Sequence, residues 1–238
     1  MLQCTMQMGT AASRIDCIID GIILDVDGTI WDTTQVAASA WNKAIGQLAL
    51  DVPAVDSAML RREFGKPMDE IALDLWPHLE DGLRERLMIL CQKEEQRALE
   101  DATITAYPGV VQTVRQMAAA HDFFVVSNCQ SGYIELMMER TGLSPYIKDF
   151  ECFGRTGKGK AANIALLASR NQLSHPVYVG DTRGDALCCQ EVGLPFVWAS
   201  WGFGCEEDFA DVKIAAKIDS FDQLTLLFGG NSFNLLGG

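Results

Sequence analysis

Two aspartates one residue apart, Asp25 and Asp27 in the run Asp25-Val26-Asp27-Gly28-Thr29, close an Ile-rich apolar stretch and open a glycine turn. An ionised carboxylate attacks phosphorus when a divalent cation neutralises the phosphoryl oxygens and the approach is in line, and Asp25 suits that part. In a strand the side chain two residues on returns to the same face, so Asp27 can stand beside it as general acid and then base. Gly28 permits the sharp exit. Thr29 is expected to fix Asp27 through its hydroxyl and to belong with the phosphate-binding residues, and a backbone carbonyl of the turn can reach a metal ion. Asp-Gly turns follow buried strands in many proteins, so the pair needs company before it means chemistry.

Three further elements supply it. Val126-Ser127-Asn128 ends another apolar run, and its hydroxyl and backbone N–H groups could hold a phosphoryl oxygen, although Ser and Asn also cap helices routinely. Lys158-Gly159-Lys160 opens a helical pattern containing Asn163 and offers a compact cation between nucleophile and phosphate. Val177 to Gly180 is a buried-strand pattern that delivers Asp181 to its end, with Asp185 four residues later; hard carboxylate oxygens there suit Mg²⁺. Taken singly, Asp181 could be a helix cap and Asp185 a charge favourable to the helix dipole. His78, His121 and His175 have neither triad nor metal-ligand spacing, and Cys129 suits a buried inert thiol.

The elements that must position these residues alternate. Apolar runs at Cys17 to Val26, Phe123 to Ser127, Phe150 to Phe153, Val177 to Gly180, Phe196 to Ala199 and, more weakly, Ala215 to Ile218 predict strands. Helical patterns lie between them at Val110 to Ala120, Tyr133 to Thr141, Lys160 to Arg170 and Asp185 to Val192. The alternation predicts an α/β fold with a doubly wound, Rossmann-like parallel sheet, whose ligands bind beyond the C-terminal strand ends. All four elements fall there or in the turns that follow. From Thr33 to about Thr103 the pattern is helical throughout: Val36 to Ala49, Ala54 to Phe64, Met68 to Leu75 and Leu79 to Leu99, broken by Gly65-Lys66-Pro67. The expected division is a loose leader over 1–16, a catalytic core over 17–32 and 104–238, and over 33–103 a small helical domain inserted after the first strand, placed to fold over the carboxylate loop as a lid.

Composition narrows the partners. The 238 residues are 48% hydrophobic and 21% charged, enough for a buried core. A formal net charge of -13 argues against nucleic acid and acidic membrane surfaces, so a phosphate site must be built from a metal ion, a few lysines and backbone N–H groups. The eight cysteines form no CxxC pair and fit reduced thiols in a cytoplasmic protein. The first seventeen residues do not follow the pattern of a secretory signal, and no apolar run is long enough to span a membrane.

The order of nucleophile pair, Ser, Lys and acidic pair resembles the haloacid dehalogenase superfamily of phosphatases and mutases, from about Ile18 to Phe228, and the helical insert resembles that family's cap. The resemblance implies Asp25 as nucleophile and metal ligand, Asp27 as acid/base at the metal site, and Ser127 and Asn128 on the phosphate. It further implies Asp181 as metal ligand, Asp185 as a supporting carboxylate and Mg²⁺ as cofactor. Lys160 is chosen for the phosphate and nucleophile because its Lys-x-x-Asn-Ile pattern is similar to one branch of the family, with Lys158 in reserve. Dehalogenases of the superfamily lack the second carboxylate, so Asp27 points to phosphate chemistry. Lys66, with Arg61 or Arg62 behind it, is the cap candidate for the leaving group. The implied enzyme hydrolyses a small phosphorylated metabolite, as phosphoglycolate phosphatase-like relatives do, and acts as a monomer or homodimer. A sugar phosphomutase of the β-phosphoglucomutase type and a phosphate-binding protein without turnover are the alternatives.

Overall fold

Short runs of β-branched and aromatic residues become strands when both faces can be buried, and that condition holds through most of this chain. The computed structural model describes residues 19–229; the leader, and Cys17 and Ile18 of the first predicted strand, lie outside them. Strand β1 spans Gly21–Leu24 and is followed by four helices: α1 (Thr34–Gln47), α2 (Ser57–Glu63), α3 (Met68–Leu75) and α4 (Asp81–Asp101). Helix α5 (Val110–Met117) leads into β2 (Phe123–Ser127), α6 (Tyr133–Thr141) and β3 (Ile147–Cys152). The short α7 (Phe153–Thr156) and α8 (Lys160–Arg170) then precede β4 (Pro176–Gly180), α9 (Arg183–Val192), β5 (Phe196–Ala199), β6 (Ala216–Ile218) and α10 (Leu224–Phe228).

All six strands are parallel, in the order β3-β2-β1-β4-β5-β6. The chain winds outward from β1 to β3 on one side and from β4 to β6 on the other, so the direction switches between β1 and β4, where doubly wound folds open their ligand crevice. Alternate side chains serve opposite layers. Ile22, Leu24, Phe123, Val125, Val177 and Val179 pack with residues of α5, α6 and α10. Ile23, Phe124, Val126, Tyr178, Phe196 and Trp198 pack with residues of α8 and α9. Helices α1 to α4 enclose a hydrophobic cluster of their own, including Trp41, Leu60, Ile71, Leu87 and Cys91.

The differences from the sequence expectation have local causes. Strand β1 ends at Leu24 rather than Val26, because the Val26 carbonyl accepts from the backbone N–H groups of Thr29, Ile30 and Trp31 and curls the chain out of the sheet. Strand β3 begins three residues earlier than predicted and ends one residue earlier, since Phe153 opens α7. It is an edge strand whose first residues, Ile147-Lys148-Asp149, are only partly covered, so no apolar run announces them.

Leu24 is fully buried in the central strand, whereas Leu226 is 68% exposed on α10. Leu24→Ala should destabilise the protein by about 2–5 kcal/mol, and Leu226→Ala by less than about 0.5 kcal/mol, in denaturant unfolding.

Candidate active site

The ends of the three adjacent strands β2, β1 and β4 place Ser127, Asp25 and Asp181 side by side. The Asp25 backbone N–H donates to the Val179 carbonyl at 2.9 Å, extending the β1–β4 pairing one step past the strand. Gly28 then turns with φ +81°; a Cβ there would lie 2.0 Å from Asp181 Oδ2, so only glycine lets the loop close against that carboxylate.

Oxygens of Asp25, Asp181 and Asp185, all buried, lie within 4.8 Å of one another. Lys160, at the first turn of α8, faces them: its Nζ donates to Asp25 Oδ1 at 2.9 Å and Asp185 Oδ1 at 2.5 Å. Burial opposes the ammonium, but Asp185 and Asp25 outweigh it and hold Lys160 well above the usual lysine range. Burial pushes Asp25 up, with Lys160 pulling against it. Asp181 is driven well up by burial and then by Asp185 and Asp25, despite accepting from the Phe203 N–H and the Thr29 hydroxyl. Three buried carboxylates opposed by one lysine are short of positive charge, and their oxygens are hard donors, so the residues fit a divalent cation.

Asp185 has further partners. Thr182 caps α9, and the Thr182 N–H and hydroxyl donate to Asp185 Oδ2 at 3.0 and 2.7 Å. Thr182 therefore takes the capping task that could have occupied Asp181, and Asp185, bonded through both oxygens, suits a supporting place within the cluster.

Two expectations are corrected. The Thr29 hydroxyl does not hold Asp27; it donates to Asp181 Oδ1 at 3.0 Å. Nor does the Asp27 side chain join the carboxylate cluster. Its Oδ1 accepts from the Tyr133 hydroxyl at 2.6 Å and the Thr33 hydroxyl at 3.2 Å. With β1 already ended, strand alternation does not place this side chain; the turn and those two hydroxyls do. Burial pushes Asp27 up to about 8, with Asp25 and Glu95 adding to the rise and Tyr133 and Thr33 opposing it. Among the described residues the Asp27 carbonyl accepts no hydrogen bond, which keeps it available as the turn carbonyl foreseen for a metal.

Ser127 and Asn128 line the cleft with Asp25 and Asp27, but the Asn128 side chain donates to the Gly65 carbonyl at 2.8 Å and so ties the helical insert to the sheet. Gly65 adopts φ +100° against Thr182. Lys66 also lines the cleft, but its Nζ is held by Glu63 at 2.6 Å and Asp74 at 2.8 Å. Arg61 pairs with Asp32 and stacks on Phe203, and Arg62 is exposed. Lys158 is exposed, its carbonyl bonded by Asn163, while Lys160 is buried in the site.

A family profile described as haloacid dehalogenase-like hydrolase matches residues 22–199. The chain belongs to the haloacid dehalogenase-like hydrolases. It is 24% identical over 223 residues to the phosphoglycolate phosphatase of Photobacterium profundum, covering 85% of this chain and 93% of that one. Against the phosphoglycolate phosphatase of Xanthomonas campestris it is 23% identical over 192 residues, covering 79% and 86%. The fold of a haloacid dehalogenase-like hydrolase from Streptococcus pneumoniae superposes with a TM-score of 0.77 at 16% identity, covering 88% of this chain and 98% of that one.

Several residues of this hydrolase's site were not foreseen. Thr33 and Tyr133 follow two of the motifs closely, but nothing in their spacing says which carboxylate they reach. Glu95 left a clearer signal: Leu87, Cys91, Glu95 and Leu99 recur every four residues along one buried stripe of α4, and a carboxylate in that stripe is out of place. Its Oε2 accepts from Trp41 Nε1 at 2.7 Å, and it lines the cleft.

A cation held by the cluster should stabilise the folded chain. At a Mg²⁺ concentration 100-fold over its Kd the gain is about 2.7 kcal/mol, or about 5–10 °C in Tm for a chain of this length. Asp181→Asn should abolish that Mg²⁺-dependent rise in a thermal melt while leaving the metal-free Tm unchanged or higher, because a buried charge has been removed. An equal Mg²⁺ response in both proteins would show that the cluster holds no cation.

Proposed function

We propose that this hydrolase is a Mg²⁺-dependent phosphatase that removes the phosphoryl group of a small-metabolite phosphate monoester through an aspartyl-phosphate on Asp25. The observation that carries the reading is Lys160, buried between Asp25 and Asp185, in a carboxylate cluster short of positive charge beside a separately held Asp27. The phosphoglycolate phosphatases among its relatives support it.

Mg²⁺ held by Asp25, Asp181 and the Asp27 carbonyl, with Asp185 supporting, would neutralise charge on the phosphoryl oxygens. The chain's own groups do the rest. Asp25 Oδ attacks phosphorus in line, and Lys160 holds that carboxylate ionised and aligned. Ser127 and backbone N–H groups of its loop bind a phosphoryl oxygen. Asp27, kept protonated by its partly buried setting, gives its proton to the leaving oxygen, then takes one from the water that opens the acyl phosphate. Residues 33–103 act as the cap, with 17–32 and 104–238 as the catalytic core; the Asn128–Gly65 hydrogen bond and the Phe64–Phe203 contact hold the two together over the cleft. Six free cysteines among the described residues suit a reducing, cytoplasmic setting.

Turnover of a panel of phosphate monoesters should require a divalent cation and should fall by at least about 10⁴-fold in Asp25→Asn, because a nucleophile that acts as part of a unit is not replaced by its neighbours. A wild type no faster than Asp25→Asn on every member, yet still binding phosphate, would leave a binding protein and end the enzymatic reading.

The acid role of Asp27 has a pH signature. Protonated below its pKa, Asp27 supports leaving-group departure there, and kcat/KM should decline as pH rises through that value. The Tyr133 hydrogen bond favours the ionised form, so Tyr133→Phe should raise the pKa and move the alkaline limb to higher pH. A bound cation lowers both limits, so the profiles are compared at one metal concentration. A limb that stays in place or moves down removes Asp27 from this role.

A further inference from the structure

The cap side of the cleft carries polar groups that the proposed chemistry does not use. Glu95, 2% exposed on α4, lines the cavity with Asp27, Ser127 and Tyr133. Trp41 Nε1 donates to its Oε2 at 2.7 Å. Burial pushes Glu95 up to about 7, with the Trp41 and Gln130 side chains opposing the rise, and the Gln130 Nε2 is itself buried without a hydrogen-bond partner. Asn128, 9% exposed, likewise has a buried Oδ1 with no partner. Unpaired buried donors and acceptors on a cleft wall are costly unless a ligand meets them.

The charge on this wall is equally specific. Lys66 is the one cation lining the cleft among the described residues, and two carboxylates already hold it. Glu95 is close enough to Asp27 that its charge raises the Asp27 pKa. A leaving group bearing its own carboxylate would therefore meet two carboxyl groups that burial already makes reluctant to ionise, and no free cation. A hydroxyl suits this wall, since it can donate to Glu95 and accept from the Gln130 amide.

Resting on the phosphatase reading, we infer that the cleft selects a leaving group with an uncharged hydroxyl near the phosphoester, met by Glu95 and Gln130 on the cleft wall, and rejects one with a carboxylate in that place. The substrate class is then a polyol or sugar phosphate rather than a phosphorylated hydroxy acid. This departs from 2-phosphoglycolate, the substrate that the names of the relatives imply.

The test uses the full chain and two matched substrate pairs that differ only in carboxylate against hydroxymethyl: 2-phosphoglycolate against 2-hydroxyethyl phosphate, and 3-phosphoglycerate against glycerol 3-phosphate. Wild type should favour the hydroxymethyl member of each pair by at least about 10-fold in kcat/KM, since a site built for a hydroxyl discriminates strongly. Glu95→Gln keeps the side-chain size and an acceptor for Trp41 while removing the charge, and should lower that preference by about 10-fold. A purely structural effect would lower both members alike and leave the ratio where it was, which overturns the inference. A wild-type preference for the carboxylates also overturns it, without help from any variant, and leaves the phosphatase reading standing. Absence of turnover on every monoester ends both.

Discussion

Lys160 Nζ lies 2.9 Å from Asp25 and 2.5 Å from Asp185, with all three side chains out of water. Desolvating such groups costs several kcal/mol each, and mutual attraction offsets the loss only with good geometry and further hydrogen bonds. Much of the surrounding structure supplies those bonds. Thr29 and the Phe203 N–H hold Asp181, Thr182 holds Asp185, and Gly28 leaves room for the Asp181 carboxylate. The parallel sheet is what allows this: β1 and β4 pair at the switch point, so two carboxylates distant in sequence arrive at neighbouring strand ends. A lysine opening α8 completes the arrangement from the following layer.

The sheet was readable because its inner strands are buried on both faces and leave continuous apolar runs. Phe123–Ser127 and Phe196–Ala199 appear with the bounds their composition predicts. Legibility failed where burial is one-sided, as at the polar start of β3, and where backbone hydrogen bonds override alternation, as after Leu24. The site divides in the same way. Residues at strand ends are placed by topology, which sequence periodicity reports. Partners such as Thr33, Tyr133 and Glu95 come from separate helices and loops, and their pairing depends on three-dimensional approach that no spacing encodes. Thr29 and Thr33 are only four residues apart, yet one hydroxyl turns to Asp181 and the other to Asp27.

The helical insert shapes the cleft as much as it covers it. It reaches the sheet through the Gly65 turn, whose carbonyl takes the Asn128 amide, and through Phe64 against Phe203. Phe203 also presents its N–H to Asp181, so one loop touches both the carboxylate cluster and the insert. A change in how the insert sits is therefore felt at Asp181 as well as at the cavity wall. Glu95 follows from the same packing. It is held by Trp41 within the insert's own hydrophobic cluster, so its position is set by helix packing and not by the catalytic loop.

Asp25 and Asp27 are separated by one residue, but their environments push them toward opposite tasks. Asp25 faces a lysine, which favours the ionised form a nucleophile needs. Burial leaves Asp27 easier to protonate, and the nearby Asp25 and Glu95 carboxylates add to that effect against the opposing hydroxyls of Tyr133 and Thr33. Tyr133 is itself raised well above the ordinary tyrosine range, by burial first and then by Asp27 and Glu95, so it stays a neutral donor while Asp27 titrates. Thr33 bonds both Tyr133 and Asp27, which fixes the tyrosine as well as the acid. Pairs of titratable groups with divergent environments mark acid and base assignments in enzymes. Here the divergence comes from burial around Asp27, from Glu95 of α4 and from Lys160 of α8, so the motif supplies two carboxylates and the fold makes them different.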